Sequence, residues 1–157
     1  QNVPPLFTSS FAYRLTQSMP ALSLAEALDG EVLQPGIVRI APGGDKHLVV
    51  DNGGGKYITR LMGGAPVSGH CPSVDVLFKS VAKHAGRNAL GIILTGMGRD
   101  GAEGLLAMRQ AGAFTIAQDK TSAVVYGMPR VAAEIGAACQ VVPLRQISAA
   151  AMAIHTR

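Results

Sequence analysis

Residues 91–104 read Gly-Ile-Ile-Leu-Thr-Gly-Met-Gly-Arg-Asp-Gly-Ala-Glu-Gly, a glycine-rich segment in the second half of the chain. The apolar run Ala89–Leu94 leads into a turn with three glycines, and a helical pattern of apolar residues follows at once. This order predicts a strand, a tight turn and a helix. Because ligands in such units bind beyond the carboxyl end of the strand, the turn is the candidate site. Asp100 is the only carboxylate in that turn.

Strand and helix patterns alternate along most of the remaining chain. Further strands are predicted at 37–41, 114–118 and 140–142, and further helices at 8–19, 73–85, 128–135 and 147–154. The runs His47–Asp51 and Lys56–Met62, joined by Asn-Gly-Gly-Gly, predict an antiparallel hairpin. Residues 22–28 are ambiguous by periodicity. We therefore predict an α/β fold with a mainly parallel sheet flanked by helices on both faces and an antiparallel hairpin addition.

Two helix starts carry capping signals. Thr8 or Ser9 is expected to cap the first helix, which Pro20 should end. Ser73 is expected to cap the next helix, with Asp75 in its first turn.

Length, composition and charge indicate which classes of protein this sequence can belong to. The length of 157 residues, with 48% hydrophobic and 15% charged residues, predicts one globular domain. No apolar run is long enough to span a bilayer. The net charge of +4 is spread over single Lys and Arg residues, and aromatic residues make up only 4%, which argues against nucleic acid as a partner. Cys71, Cys139 and the histidines show no metal-ligand spacing, so we predict no metal and no cofactor.

The central turn also fits a nucleotide-binding pattern. Gly96-Met-Gly-Arg-Asp-Gly101 matches the dinucleotide fingerprint, and Asp119 stands at a strand end beyond it. Against this hypothesis, Asp100 would compete with a pyrophosphate for the amides at the helix N-terminus. A third hypothesis gives Asp100 only a structural role, as a carboxylate that complements the helix dipole.

The sequence around Asp100 resembles the signature of the chemotaxis protein-glutamate methylesterases of bacteria. The segment 94–105, Leu-Thr-Gly-Met-Gly-Arg-Asp-Gly-Ala-Glu-Gly-Leu, carries the resemblance. Five other segments are similar to blocks of that family in the same order, and these are residues 4–15, 41–48, 70–78, 115–119 and 125–130. The resemblance therefore covers nearly the whole chain.

The resemblance implies hydrolysis of γ-glutamyl methyl esters, and deamidation of glutamine, on chemoreceptor cytoplasmic domains. Members of the family use a Ser, His and Asp triad, and Asp100 matches the triad carboxylate. Met97 and Gly98 match positions that line the site, where the Met97 amide assists the oxyanion. His70, Pro72 and Ser73 match a loop beside the substrate cleft. The expected partners are a methylated chemoreceptor and a phospho-receiver domain of the parent chain, in the cytoplasm.

Two departures from the family pattern concern the start of the sequence. The block that carries the family's catalytic His reads Gln-Asn-Val-Pro, so Asn2 stands at the position of the His. The nucleophilic Ser lies upstream of that block in the family, and no Ser of this chain is assigned its role. We therefore expect residues 1–157 to form a catalytic domain without its first strand, its nucleophile turn and the receiver domain. A catalytically inactive receptor-binding module is the alternative hypothesis.

Overall fold

A computed structural model describes residues 5–154, with side chains from residue 7 onward. The described chain forms two compact units, with the boundary after Leu77. The fold class predicted from the sequence is confirmed: the structure has parallel strands flanked by helices and, as a separate sheet, one antiparallel pair of strands. The strands belong to three sheets. Among the described residues, no helix combines the length and the apolar character needed to cross a membrane.

The first unit contains one helix, two pairs of strands and the start of a second helix. Its elements are α1 (Pro5–Ser18), β1 (Ser23–Glu26), β2 (Ile37–Ile40), β3 (Lys46–Gly53), β4 (Lys56–Gly63) and the first turn of α2 (Val74–His84). Strands β1 and β2 are parallel, and α1 packs against β1. Strands β3 and β4 form the predicted hairpin, with Gly53 opposite Lys56 at its tip. The ambiguous residues 22–28 thus contain β1.

The prediction that Thr8 or Ser9 caps the first helix is wrong, because α1 already begins at Pro5. A proline suits the first turn of a helix, where its fixed φ is helical and its missing N–H has no partner to lose. Both hydroxyl groups instead donate hydrogen bonds from inside the helix to the carboxylate of Glu26 on β1. The buried face contains Thr8 and Ala12, whereas Phe11 is partly exposed.

The second unit is a three-stranded parallel sheet with helices packed on it. It contains the rest of α2, a short 3-10 helix (Gly86–Asn88), β5 (Leu90–Ile93), α3 (Ala102–Gln110), β6 (Phe114–Gln118), α4 (Met128–Glu134), β7 (Gln140–Val142) and α5 (Leu144–Met152). Strand β6 lies between β5 and β7. The last helix begins three residues before the predicted start at Ile147, directly after Pro143, and Ile147 is its buried residue.

The core of the second unit joins β5 and β6 to helices α3 and α4. Its buried members are mostly small: Ile93, Ala102, Leu105, Ala117, Ala132 and Ala137. Full burial of a leucine such as Leu105 stabilises a fold by roughly 1.5–3 kcal/mol. Because most of these side chains are alanines, the helices can pack close to the sheet.

Candidate active site

We call residues 94–101, which follow β5, the Asp100 turn. Its start is tied to the loop that precedes α4. The Gly96 amide donates to the Val125 carbonyl at 3.0 Å. The Thr95 hydroxyl accepts from the Val125 amide at 2.8 Å and donates to the Val125 carbonyl at 3.2 Å. Three hydrogen bonds to Val125 therefore hold the start of the turn.

The carbonyl of Gly96 also caps α4. This helix has no side-chain cap, and the first amides of any helix lack partners within it. The amides of Gly127 and Met128 both donate to the Gly96 carbonyl, at 3.1 and 2.8 Å. A Cβ on Gly127 would lie 2.6 Å from the Gly96 oxygen, and a Cβ on Gly96 would lie 2.3 Å from Met128 Sδ. Only glycine allows this approach of the two segments.

The second half of the Asp100 turn separates a buried carboxylate from an exposed side chain. Gly98 and Gly101 have φ values of 84° and 90°, a region that L-residues seldom occupy. Between these two reversals, Asp100 points inward and is 2% exposed, whereas Met97 is 73% exposed. The structure thus brings the three predicted residues of this segment together, with Met97 and Gly98 on the solvent side.

The position of Asp100 suits a carboxylate that has to hold a fixed direction. It directly precedes Gly101, the N-cap of α3, at the end of the helix where the dipole favours a negative charge. The neighbouring ion pair of Arg99 and Glu103, at 3.4 Å, lies on the exposed side of the helix. A buried carboxylate can orient an imidazole and stabilise its charged form, which is the task of the acid in a Ser-His-Asp triad.

The buried amide of Gln118, at the end of β6, forms a hydrogen bond with the start of the Asp100 turn. Its Oε1 accepts from the Thr95 amide at 2.7 Å, and its Nε2 donates to Ser122 Oγ at 3.2 Å. Ser122 Oγ donates in turn to Asp119 Oδ1 at 2.6 Å and accepts from the Leu144 amide at 2.9 Å. A chain of hydrogen bonds therefore connects the turn to the loop that follows β6.

Asp119 was the acidic residue of the dinucleotide hypothesis, and its carboxylate is engaged within its own loop. The hydroxyl groups of Ser122 and Thr121 donate to it and, with the amides of the same residues, hold its pKa below the ordinary value of 3.8. These hydrogen bonds shape the loop after β6, so the carboxylate has a structural role in this fold.

We call residues 64–73 of the first unit the His70 loop. It is held by His47, a buried residue of β3. The Ser73 amide donates to His47 Nδ1 at 3.1 Å, so the ring hydrogen belongs to Nε2, which donates to the Ala65 carbonyl at 3.1 Å. One neutral imidazole thus fastens both ends of the loop.

Within the His70 loop, residues 67–70 form a tight turn. Val67 and His70 exchange two backbone hydrogen bonds, and Ser68 and Gly69 between them both have positive φ. This is the hairpin turn in which both central residues adopt left-handed conformations. The half-buried His70 is therefore placed by backbone geometry.

Pro72 and Ser73, two of the three residues predicted beside the cleft, line a cavity of about 440 Å³ in the first unit. His70 is not among the residues that line it. The walls are mainly apolar and come from α1, β3, the ends of β2 and α2, and the loops beside them. They include Phe7, Phe11, Arg14, Ile40, Leu48 and Leu77. The predicted cap is also observed, since Ser73 Oγ accepts from the Val76 amide at 3.5 Å.

Asn2, at the position of the family's His, lies outside the described residues. Within residues 5–154, no three His, Cys, Asp or Glu side chains are grouped so that they could hold a metal ion. Two serines of the described residues have structural roles. Ser9 donates to Glu26, and Ser73 caps α2.

Sequence reasoning missed four residues that build these two segments, namely His47, Thr95, Gln118 and Gly127. A signal existed for Gln118, because it is a polar residue that ends the otherwise apolar run of β6. A comparable signal existed for His47, a titratable residue at the start of an apolar strand. Spacing along the sequence gave no sign of Gly127, whose contact with Gly96 joins segments far apart in the chain.

Residues 1–151 match the family model described as CheB methylesterase. A Salmonella typhi relative, named protein-glutamate methylesterase/protein-glutamine glutaminase, is 57% identical over 148 residues, which is 94% of this chain and 42% of that protein. A relative of the same name in Escherichia coli K12 is 55% identical with the same coverage. The chain thus spans less than half the length of these curated relatives.

The fold agrees with a solved structure of the same family. The crystal structure of the Thermotoga maritima CheB methylesterase catalytic domain is similar with a TM-score of 0.88 and 39% sequence identity. The match covers 94% of this chain and 77% of that catalytic domain.

Proposed function

The chain belongs to the CheB methylesterase family, and from this premise we propose that the protein hydrolyses γ-glutamyl methyl esters on bacterial chemoreceptors and deamidates glutamine there. The observation that carries the proposal is the burial of Asp100 in a hydrogen-bonded turn beyond the carboxyl end of β5. Ligands of parallel α/β sheets bind at this end of the strands. The relatives' names, which give both activities, support the same substrate class.

The proposed chemistry is acyl transfer in two steps. A serine oxygen attacks the ester carbonyl while a histidine takes the serine proton, and the histidine then passes that proton to the departing methoxide, which leaves as methanol. Water hydrolyses the acyl-enzyme, which restores the serine and leaves a free glutamate. Asp100 holds the histidine in the productive tautomer, and the Met97 amide stabilises the oxyanion. Met97 and Gly98 face solvent, where a receptor segment can reach them.

In this proposal residues 1–157 are the larger part of a catalytic domain, and its first strand and nucleophile turn are not among these residues. Pro72 and Ser73 contribute to an apolar cavity that receives part of the receptor. His70 lies on the same loop and contributes to the cleft. A phospho-receiver domain and a methylated chemoreceptor are the proposed partners, and the cytoplasm is the proposed location.

Asn2 limits the activity expected from this sequence. An amide does not titrate near neutral pH and cannot take the serine proton as a general base. Loss of one triad member lowers the rate by about 10⁴-fold. The same residue favours the second candidate function, a receptor-binding module that has kept its docking surface and lost catalysis.

The test is methanol release from methylated receptor by the protein as its gene encodes it, with and without Asn2→His. We expect Asn2→His to raise the rate by about 10³-fold or more, and Asp100→Asn in that background to lower it by about 10⁴-fold. Asp45→Asn, which changes an exposed carboxylate, is the control and should leave the rate unchanged. Receptor binding without methanol release from the Asn2→His protein would favour the binding module. Stabilisation by NAD would favour the dinucleotide hypothesis.

A further inference from the structure

Gln118 is a buried polar residue that the proposed chemistry does not use. It ends the central strand of the sheet in the second unit and is 1% exposed. A buried amide without hydrogen-bond partners is costly, so its two hydrogen bonds determine where it can point. One of these bonds goes to Thr95, at the start of the Asp100 turn, and the other goes to Ser122.

The orientation of the Gln118 amide is set by neighbouring groups that can act only as a hydrogen-bond donor or only as an acceptor. The Thr95 amide can only donate, so it requires the side-chain oxygen of Gln118. The Asp119 carboxylate accepts the hydroxyl hydrogen of Ser122. The Ser122 oxygen is then left to accept, and it receives the Gln118 Nε2–H and the Leu144 amide. The loop after β6 therefore aims the Gln118 carbonyl at the Asp100 turn.

The hydrogen bond to Thr95 controls more than one residue. Thr95 is also bonded to Val125 through its hydroxyl, and its neighbour Gly96 caps α4. The Thr95 amide is thus the point where the Asp100 turn leaves the sheet, two residues before Met97 and five before Asp100. A shift of about 1 Å in a catalytic group can cost about 10²-fold in rate.

We propose that Gln118 is a positioning residue of the methylesterase site, which holds the Asp100 turn in place through the Thr95 amide. The proposal rests on the proposed function for its effect on the rate. Its structural part concerns the backbone of the turn alone. Gln118 touches no substrate in this proposal, and its influence on the reaction passes through Met97 and Asp100.

The first test compares Gln118→Met with Thr115→Val in the Asn2→His protein. Both replaced residues are buried polar residues of β6, but the Thr115 hydroxyl bonds to Ala137 and Cys139, away from the Asp100 turn. We expect Gln118→Met to lower kcat by about 10- to 100-fold with little change in KM. We expect Thr115→Val to lower the midpoint of thermal unfolding and to leave kcat unchanged.

The second test uses Gln118→Glu and a pH profile. When protonated, the introduced carboxyl has one oxygen that accepts from Thr95 and one O–H that donates to Ser122, as the native amide does. When ionised it can no longer donate. The ratio of kcat for the variant to kcat for its parent should therefore fall as the pH rises. A residue with only a structural role would change unfolding without giving this pH-dependent ratio.

Hydrogen exchange of the Thr95 and Gly96 amides tests the position of the Asp100 turn separately from the rate of the reaction. Gln118→Met should speed exchange at both amides by about 10-fold or more relative to Thr115→Val, whether or not methanol is released. Unchanged exchange, or equal losses of kcat in the two variants, would overturn the positioning role. Faster exchange in a protein whose Asn2→His parent releases no methanol would keep the positioning of the turn and reject the esterase function.

Discussion

The Asp100 turn and the His70 loop are two glycine-containing segments that lead into helices, and the fold holds them in different ways. At the Asp100 turn two main chains meet directly, since the Gly96 carbonyl receives the first amides of α4 and glycine at position 127 lets the two segments touch, and the side chains of Thr95 and Gln118 add hydrogen bonds to this contact. The His70 loop is fixed by a side chain, the imidazole of His47. Backbone atoms have no alternative rotamers, so the contact between Gly96 and Gly127 leaves less room for added volume than a contact made by a side chain.

The two segments also differ in how much space an added side chain would find at their glycines. A Cβ on Gly127 would meet main-chain atoms of the Asp100 turn, at 2.6 Å from the Gly96 oxygen. A Cβ on Gly64, in the His70 loop, would meet the His47 side chain at 3.2 Å, and a Cβ on Gly69, at the tip of that loop, would meet nothing within 4 Å. The contact with the loop before α4 is therefore the one where an added methyl group should disturb the backbone most.

The largest effect is expected at Gly127. In Gly127→Ala the new Cβ would lie 2.6 Å from the Gly96 oxygen and 3.0 Å from the Gly98 nitrogen, so the Asp100 turn has to shift. Overpacking of this kind costs about 1–3 kcal/mol, and we expect the upper end because both neighbours are backbone atoms. Urea unfolding measures the change in the free energy of unfolding.

Gly63→Ala is the matched control, because a Cβ on Gly63 meets nothing within 4 Å and its φ is not in the left-handed region. Its free energy of unfolding should stay within about 0.5 kcal/mol of the parent. If Gly127→Ala behaved like Gly63→Ala, the Asp100 turn would not depend on a close backbone approach, and the contrast with the His70 loop would be lost.

A smaller effect is expected at His47. The change His47→Ala leaves the Ser73 amide and the Ala65 carbonyl without their partner, which should cost about 2 kcal/mol of unfolding free energy. Gln can both accept and donate, so His47→Gln should recover about half of that loss. Limited proteolysis within residues 64–73 should become faster in His47→Ala and stay slow in Gly127→Ala. Equal proteolysis in the two variants would show that His47 does not fasten the loop.

The sequence predicted the Asp100 turn because its evidence is local. An apolar run, a glycine-rich turn and a helical pattern follow one another within residues 89–110, and each is decided by neighbours along the chain. The burial of Asp100 and the exposure of Met97 come from positive φ values that glycines at fixed offsets allow. Local chemistry was therefore enough to predict the turn between β5 and α3.

The support of the same turn was not predicted, because its evidence is long-range. Gln118, at the end of β6, bonds to Thr95 beyond the end of the neighbouring strand β5, and Gly127 touches Gly96 with a helix and a strand between them in the chain. A single sequence gives spacing along the chain and no contact between distant positions. The start of α1 was placed too late for a similar reason, since the hydroxyl of Thr8 was expected to cap a helix and instead binds Glu26 of β1.

The smallest effect is expected at Asp119, a titratable group whose hydrogen bonds lead through Ser122 and Gln118 to the Asp100 turn. The pKa of Asp119 is lowered, mainly by the Ser122 hydroxyl and then by the Thr121 hydroxyl. A lowered pKa means that the carboxylate contributes stability above pH 3.8, the ordinary value, and that this contribution is lost as the pH falls through the lower value of the folded state.

In Ser122→Ala the carboxylate loses its main donor, so its pKa should rise toward 3.8. Titration of the Asp119 carboxyl carbon by NMR measures this change. The Thr95 amide signal should follow the same titration in the parent protein, because Asp119 sets the role of Ser122, and Ser122 sets the orientation of the Gln118 amide. In Ser122→Ala that coupling should disappear. If the Thr95 signal did not change with the titration of Asp119 in the parent protein, Ser122 would not transmit the charge of Asp119 to Gln118, and the bond from Thr95 to Gln118 would act without the loop after β6.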